Sequence, residues 1–363
     1  MLRTALIGCP HSGKTTLFQL MTSQREAPRG GHARLEVSIG VARVPDARLD
    51  RLTAMYQPRK RVPATVEFAD VVAAGSTAAQ SLIDVAPLRD ADALVHVVRM
   101  FGDESVPREG STDPATDAQA MEDELILADL AIAERRLERI DRDLKKAKTA
   151  ELENERHVIA LCKDALEAGS PIRALALDED DRKRLRGFQF LSAKPLLLVL
   201  NIDEADLAWL ATPGRAAAEG GLGPFLSRAA TRAVGVCAKI ELEIAQLEPA
   251  DAAAFLADLG LHETGVDRVI CATYDLLGYL SFFTVGEDEC RAWSIPRGTI
   301  AGVAAGEIHS DIARGFIRAE AVACDRLAGR GAFQTCKEHG EVRLEGKEYV
   351  VQDGDVITFR FAT

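Results

Sequence analysis

Apolar residues recur along the chain with different periods, and those periods already divide it into parts. Arg3-Thr4-Ala5-Leu6-Ile7 is a short, mostly apolar run of strand length. Ala64-Thr65-Val66-Glu67-Phe68-Ala69-Asp70 alternates apolar and polar residues, as a half-buried strand does, and ends in a carboxylate. The runs from Ala93 to Arg99 and from Pro195 to Asn201 are nearly continuously apolar, the pattern of strands covered on both faces of a parallel sheet. From Asp117 to Ala147 the period changes: Leu130, Ala133, Leu137, Ile140, Leu144 and Ala147 lie alternately three and four apart, a heptad seam on one long helix. A second helical stretch, Glu151 to Glu167, is closed by Ala168-Gly169-Ser170-Pro171, so the spacing predicts an antiparallel helical hairpin inserted between strands. The expected fold is a doubly wound α/β sheet with its ligand at the strand C-terminal ends.

At 363 residues the chain is longer than one core usually serves, so two or three domains are expected. A hydrophobic fraction of 47% with 28% charged residues supports real cores and excludes wholesale disorder. No apolar run approaches the roughly 20 residues of a membrane-spanning helix, and no signal peptide is read; a cytoplasmic protein with no membrane partner is expected. Seven scattered cysteines without CxxC spacing read as reduced thiols, a redox role for Cys9, Cys237 or Cys271 staying open. A net charge of -12 argues against nucleic-acid binding by bulk charge, so any RNA contact is local.

The chemistry is concentrated after the first strand. Gly8-Cys9-Pro10-His11-Ser12-Gly13-Lys14-Thr15 fits G-x-x-x-x-G-K-[ST], and helix-compatible Thr16-Leu17-Phe18-Gln19-Leu20-Met21 follows. Successive backbone N–H groups at a helix N-terminus bind phosphate oxygens, and Gly8 and Gly13 let the backbone approach. Gly8, Pro10, His11, Ser12, Gly13, Lys14, Thr15 and Thr16 are the phosphate-binding candidates. Lys14 supplies a charge to the β- and γ-phosphates, Thr15 completes a magnesium shell, and these two are the catalytic candidates. Asp70 is the acidic magnesium candidate; a surface aspartate closing a strand is the alternative. His11 reads either as a phosphate or water contact or as an exposed loop histidine.

Nearly the whole chain resembles the YchF subfamily of Obg-like P-loop NTPases. Val44-Pro45-Asp46-Ala47-Arg48-Leu49-Asp50 resembles the family's VPDxRLD segment, and His96-Val97-Val98-Arg99-Met100-Phe101 its HVVRxF strand. Asn201-Ile202-Asp203-Glu204 sits where the family carries NxxE in place of the guanine-reading NKxD, and Ala238-Lys239-Ile240-Glu241 resembles the fifth nucleotide motif. Ala304 to Asp311, Arg314 to Glu320 and Leu344 to Ile357 look like the family's TGS domain. The resemblance implies ATP rather than GTP, with Mg2+, and a base site at Asn201, Glu204, Cys237, Ala238 and Lys239. Asn201 would hydrogen-bond the adenine edge; satisfying a turn at a strand terminus is its other reading. The domains implied are a nucleotide-binding part at 1–115 and 190–281, a helical coiled-coil arm at 116–189, and a β-rich TGS domain at 282–363.

The chain also departs from the family. DxxG becomes Asp70-Val71-Val72-Ala73, with a shifted loop using Gly75 as one way to restore the glycine. Between Arg25 and Ile39 there is no threonine for the switch magnesium ligand, leaving Ser38 as the hydroxyl. Ala74 stands where a water-orienting glutamine would follow Asp70, so turnover is expected to be slow. On the arm, Arg135, Arg136, Arg139, Arg142, Lys145, Lys146 and Lys148 interleave with Glu134, Glu138, Asp141 and Asp143, a solvated face of i,i+4 pairs or else an RNA contact. The expected function is a slow ATPase, or alternatively GTPase, whose nucleotide state regulates docking on a ribosome, RNA or protein partner. The alternative is a nucleotide-binding module that has lost hydrolysis; a phosphotransferase ranks last because no acceptor lid is identifiable.

Overall fold

The computed structural model describes residues 2–22, 37–71, 85–107, 110–212 and 214–362. Twelve strands lie among the described residues: β1 (Arg3–Ile7), β2 (Val37–Arg43), β3 (Lys60–Val62), β4 (Thr65–Val71), β5 (Ala93–Met100), β6 (Leu196–Ile202), β7 (Thr231–Val236), β8 (Tyr279–Thr284), β9 (Glu289–Pro296), β10 (Phe316–Ala323), β11 (Arg343–Glu345) and β12 (Asp355–Phe361). Packing divides the chain into two units, Met1–Val41 with Glu67–Leu276, and Ala42–Val66 with Leu277–Thr363.

The first unit carries a six-stranded sheet in the order β2-β4-β1-β5-β6-β7. β1 pairs in parallel with β4 on one side and β5 on the other, so the strand order reverses at β1. β5 and β6 are the apolar runs, and every β6 residue is buried, because helices cover both faces of such a sheet. The first helix, α1 (Lys14–Thr22), starts directly at the C-terminal end of this sheet and buries Leu17, Phe18 and Met21.

The helical hairpin of this unit is made by α3 (Pro114–Leu144) and α4 (Ala150–Glu167), which follow α2 (Ala47–Tyr56) in the chain. Asp113 caps α3 through the amides of Ala115 and Thr116, with Pro114 opening the first turn. Thr149 caps α4 through the Leu152 N–H, and Gly169 leaves it at φ +70°. Ala133 and Ile140 of the heptad seam are fully buried, Ala133 in a cluster with Val158, Ile159, Cys162 and Leu166. The seam does not run to its expected end: α3 stops at Leu144, and Ala147 lies exposed in the turn. The hairpin's surface pairs include the i,i+4 contacts Arg139–Asp143 and Lys163–Glu167, and others cross between the helices, Arg136 to Glu155 at 2.6 Å and Arg156 to Asp141 at 2.7 Å.

The second unit holds a sheet in the order β11-β10-β12-β8-β9-β3 around a core of Leu280, Phe282, Ile295, Ala319, Ala321 and Phe359. Residues 42–66, expected from the sequence to belong with the nucleotide-binding part, pack here: β3 pairs with β9, and α2 buries Leu49 and Leu52 completely. Alternation of apolar and polar residues shows that a segment joins a sheet, but not which sheet. Arg48 anchors the stretch through two hydrogen bonds to Asp46 and one at 2.9 Å to Asp353, its guanidinium 5.3 Å from the Phe283 ring centre.

Candidate functional site

The parallel sheet brings the sequence's candidate residues to one edge. β1 ends at Ile7 and the loop begins at Gly8, while the pairing of Leu6 with Asp70 places that aspartate beside the loop at the end of β4. Asn201 lies opposite Arg99 on one side and Val236 on the other, again at strand C-terminal ends.

The loop needs its glycines. Gly8 has φ +140° and Gly13 φ +98°, and a Cβ on Gly8 would come 2.4 Å from the Val97 carbonyl oxygen. On Gly13 the added carbon would lie 2.4 Å from Asn201 Nδ2. His11 adopts φ +58°, a left-handed conformation uncommon outside glycine, and is exposed. The Lys14 ammonium folds over the loop and donates to the carbonyls of Gly8 at 2.7 Å and Cys9 at 2.8 Å. Burial lowers its pKa, while the nearby charge of Asp70 works against that shift.

Below the loop, Thr15 Oγ1 donates to Asp70 Oδ2 at 2.8 Å, across 55 residues of sequence. Asp70 is 2% exposed, and its second oxygen, Oδ1, is buried without a hydrogen-bond partner. The Ser12 hydroxyl is in the same condition. A buried carboxylate oxygen left unmatched is costly in a folded protein, so its persistence here calls for a reason. A hydroxyl beside a carboxylate with a spare oxygen is a hard-oxygen donor set and fits a magnesium ion. Among the described residues there is no cluster of three or more His, Cys, Asp or Glu that could hold a metal without such outside ligands.

His96 on β5 is buried beneath the loop, with its Cδ2 3.4 Å from the position a Gly8 Cβ would take. Burial first, then the charges of Lys14 and Arg173, push its pKa down to about 3, so it is neutral wherever the protein is folded at ordinary pH.

Beside the loop opens a cavity of about 660 Å³, within the size range of ligand sites. His11, Gly13 and Thr16 line its phosphate side; Asn201, Glu204, Cys237, Ala238 and Lys239 line the opposite side. All five base-site candidates therefore meet in one place. Asn201 also braces the site from within, with one donor and one acceptor of its amide committed to neighbouring backbone. Its Nδ2 donates to the Ser12 carbonyl and its Oδ1 accepts from the Ala238 N–H, both at 3.0 Å, so the side chain is a strut tying the phosphate loop to the helix Ala238–Ile244. Lys239 forms an ion pair with Glu204 across the cavity mouth. Glu241, from the same motif, points elsewhere and accepts from the amides of Gly265 and Val266, the first at 2.7 Å.

The third wall, Phe101 to Val106, was not identified by sequence reasoning as part of the site. Arg99 shapes it: its guanidinium donates to the carbonyls of Phe101, Asp103, Val106 and Pro107 and lies 4.4 Å from the Phe101 ring centre. A single arginine inside an apolar strand was the available signal, because a buried guanidinium must find acceptors. Ser38 lies half-buried in β2; residues 23–36 and 72–84, including the altered DxxG loop beyond Val71, lie outside the described residues.

Comparison with known proteins finds relatives over almost the entire chain. A protein named ribosome-binding ATPase YchF from Bacillus subtilis (strain 168) is 39% identical over 99% of both chains. The protein of that name from Escherichia coli O157:H7 is 35% identical, again over 99% of each. The chain belongs to the YchF family. A family model for the YchF-GTPase C-terminal region, described as a protein of unknown function (DUF933), matches residues 279–362, which fall in the second unit. The solved structure of the Schizosaccharomyces pombe YchF GTPase superposes on this YchF-family chain with a TM-score of 0.83 at 27% identity, covering 99% of this chain and 97% of the other. Among the described residues the seven cysteines of this family member form no disulfide, and no helix is long and apolar enough to cross a membrane.

Proposed function

We propose that this protein binds a nucleoside triphosphate with Mg2+, ATP in preference to GTP, hydrolyses it slowly in the cytoplasm, and couples its nucleotide state to association with the ribosome. The observation that carries the reading is the Thr15–Asp70 pair with its unmatched carboxylate oxygen, set directly under the loop and beside Lys14. In this reading the loop amides from His11 to Thr16 receive the phosphates. Lys14 exchanges its two carbonyl partners for phosphate oxygens, and Thr15 and Asp70 hold the ion. When bound, Mg2+ supplies charge neutralisation at the β- and γ-oxygens.

The preference for ATP rests on the cavity wall. A guanine-reading motif needs a carboxylate directed at the base edge, whereas here Glu204 is paired with Lys239 and Ile202 stands in place of the motif's lysine. The second N–H of the Asn201 amide remains to meet adenine. The names of the bacterial relatives, ribosome-binding ATPases, support both the nucleotide and the partner. For the partner we assign the helical arm and the second unit, whose sequence resembles a TGS domain. A second reading, a nucleotide-binding module without hydrolysis, is favoured by Ala73 and Ala74 standing in the loop after Asp70.

Titration with fluorescent ATP and GTP, with and without Mg2+, followed by phosphate release, tests these together. Magnesium-dependent ATP binding with slow release is expected. Binding with no release over hours would select the second reading, and equal affinity with and without Mg2+ would remove the Thr15–Asp70 assignment.

A further inference from the structure

The outward face of the helical arm carries cations that the hairpin itself does not pair. Ala133 and Leu137 of the seam cluster with residues of α4, and Ile140 is buried on the same side. Arg135, Arg139 and Arg142 follow these three by two positions each, which is about 200° of rotation on a helix of 3.6 residues per turn. All three therefore stand on the side of α3 turned away from α4, and all are exposed. Lys145, Lys146 and Lys148, also exposed, carry the positive charge round the turn towards Thr149. Elsewhere on the hairpin charges are matched, Arg136 with Glu155, Arg156 with Asp141 and Lys163 with Glu167. On the outward stripe Arg135 and Arg142 commit Nε alone, to the carbonyls of Ala131 at 2.9 Å and Glu138 at 3.2 Å. Arg139 and Lys146 share the single carboxylate of Asp143, at 4.0 and 3.3 Å.

Three features narrow what would meet this stripe. From Arg135 to Arg142 the helix rises about 10 Å, and the lysines extend the row beyond it, so the cations are spread along a line rather than gathered round one small anion. Among the described residues no large apolar side chain is exposed between Leu127 and Leu161, so the surface lacks the apolar centre of a protein interface. The sequence supplies no Phe, Trp or Tyr from Gly102 to Gly187, so the rings on which unpaired bases stack are missing as well. A line of guanidinium and ammonium groups without apolar or stacking partners matches a phosphodiester backbone, and with a net charge of -12 on the whole chain the attraction is local to the stripe. We propose that the outward stripe of the arm, Arg135, Arg139 and Arg142 with the lysines of the turn, binds the phosphate backbone of RNA without reading its bases. The proposal deepens the ribosome association proposed above and rests on it for the partner.

The full-length protein, free of nucleotide, is titrated into a fluorescein-labelled RNA hairpin over a range of salt concentrations, following anisotropy. Beside it are measured the triple variant Arg135→Gln, Arg139→Gln, Arg142→Gln and a control with the same change of charge, Lys163→Gln, Arg182→Gln, Lys183→Gln. The hairpin should bind saturably and more weakly as salt rises. The stripe variant should bind at least about ten-fold more weakly and lose roughly two units from the slope of log affinity against log salt, with the control and a hairpin of altered stem sequence both within about three-fold. ATP binding by the stripe variant should be unchanged. No saturable binding, an equal loss in the control, or strong dependence on stem sequence would overturn the assignment. A polyglutamate peptide that binds as tightly as the hairpin would overturn it too, giving the stripe to an acidic protein. Cosedimentation with purified bacterial ribosomes separates this proposal from the reading beneath it: pelleting that the stripe variant retains in full removes the stripe alone, whereas hairpin binding without pelleting removes the ribosome association alone. Should the stripe variant fold poorly, the salt slope and the polyglutamate comparison on the unaltered protein still decide.

Discussion

Asp70 in the first unit and Asp355 in the second are equally buried, each 2% exposed, yet their surroundings complete them differently. Asp355 accepts from Arg343 at 2.6 Å on one oxygen, and from Tyr349 at 2.7 Å and the Gln352 N–H at 3.0 Å on the other. Asp70 is given one partner, Thr15, and keeps an oxygen idle. A carboxylate whose valences are filled by its own chain serves the fold. One left half-filled beneath a phosphate-type loop is arranged for something that arrives. The same contrast separates Arg48, hydrogen-bonded on two sides by Asp46 and Asp353, from Lys14, whose contacts are two exchangeable carbonyls.

The contrast can be broken most decisively at those residues. Lys14→Ala should weaken ATP binding by roughly a hundred-fold while leaving the melting temperature within a degree or two, because a charged donor to phosphate is lost but no buried partner is stranded. Equal affinity in a fluorescence titration would sink the site. Asp355→Ala should do the reverse: it strands Arg343, Tyr349 and the Gln352 amide and costs about 2 kcal/mol in chemical denaturation, with the ATP affinity of the folded protein unchanged.

Acid should separate the units. In the second unit Arg360 holds the Glu320 carboxyl below its ordinary pKa, and Arg48 with the Ser281 amide outweighs burial to lower Asp353. Groups lowered by folding stabilise above their ordinary pKa and lose that contribution as pH falls from there through their lowered folded-state pKa. In the first unit burial raises Asp129 and Glu241 despite their amide partners, so these take up protons more readily folded than unfolded, and acid favours their folded form. As pH falls below about 4.5, hydrogen exchange should therefore report protection lost first in the second unit. Loss beginning around Asp129 would contradict the sign. The smallest effect is expected of Glu204→Asp, which should leave the ATP-to-GTP affinity ratio within about three-fold. Ile202 still stands where guanine readers carry a lysine; a switch to GTP would show that Glu204 alone sets the base.

Much of the first unit was legible because its signals are local: a glycine-spaced loop between strand and helix, two unbroken apolar strands, a heptad seam, and a second helix followed by Gly169. The long-range pairing of Thr15 with Asp70 was also accessible, since a strand ending in a carboxylate is visible in the sequence. The commitment of Asn201 was not, because whether an amide reads a ligand or braces a loop depends on what lies 3 Å away. The wall shaped by Arg99 was hidden for the same reason: its acceptors are backbone carbonyls, which every residue has. The home of residues 42–66 could not be read either, since their pattern specifies burial but names no partner.

That last stretch has a consequence for how the protein can be made. Leu49 and Leu52 are buried within a unit whose remaining parts are translated only after residue 276. A nascent chain halted before that point would display two leucines and the unpaired edge of β3 for as long as synthesis lasted. Excision of 277–363 as a separate fragment would in turn leave β9 without β3, one of its two neighbours. Neither cut yields a self-sufficient piece, so the C-terminal unit is better removed together with 42–66, the ends rejoined by a short linker, than trimmed from one end.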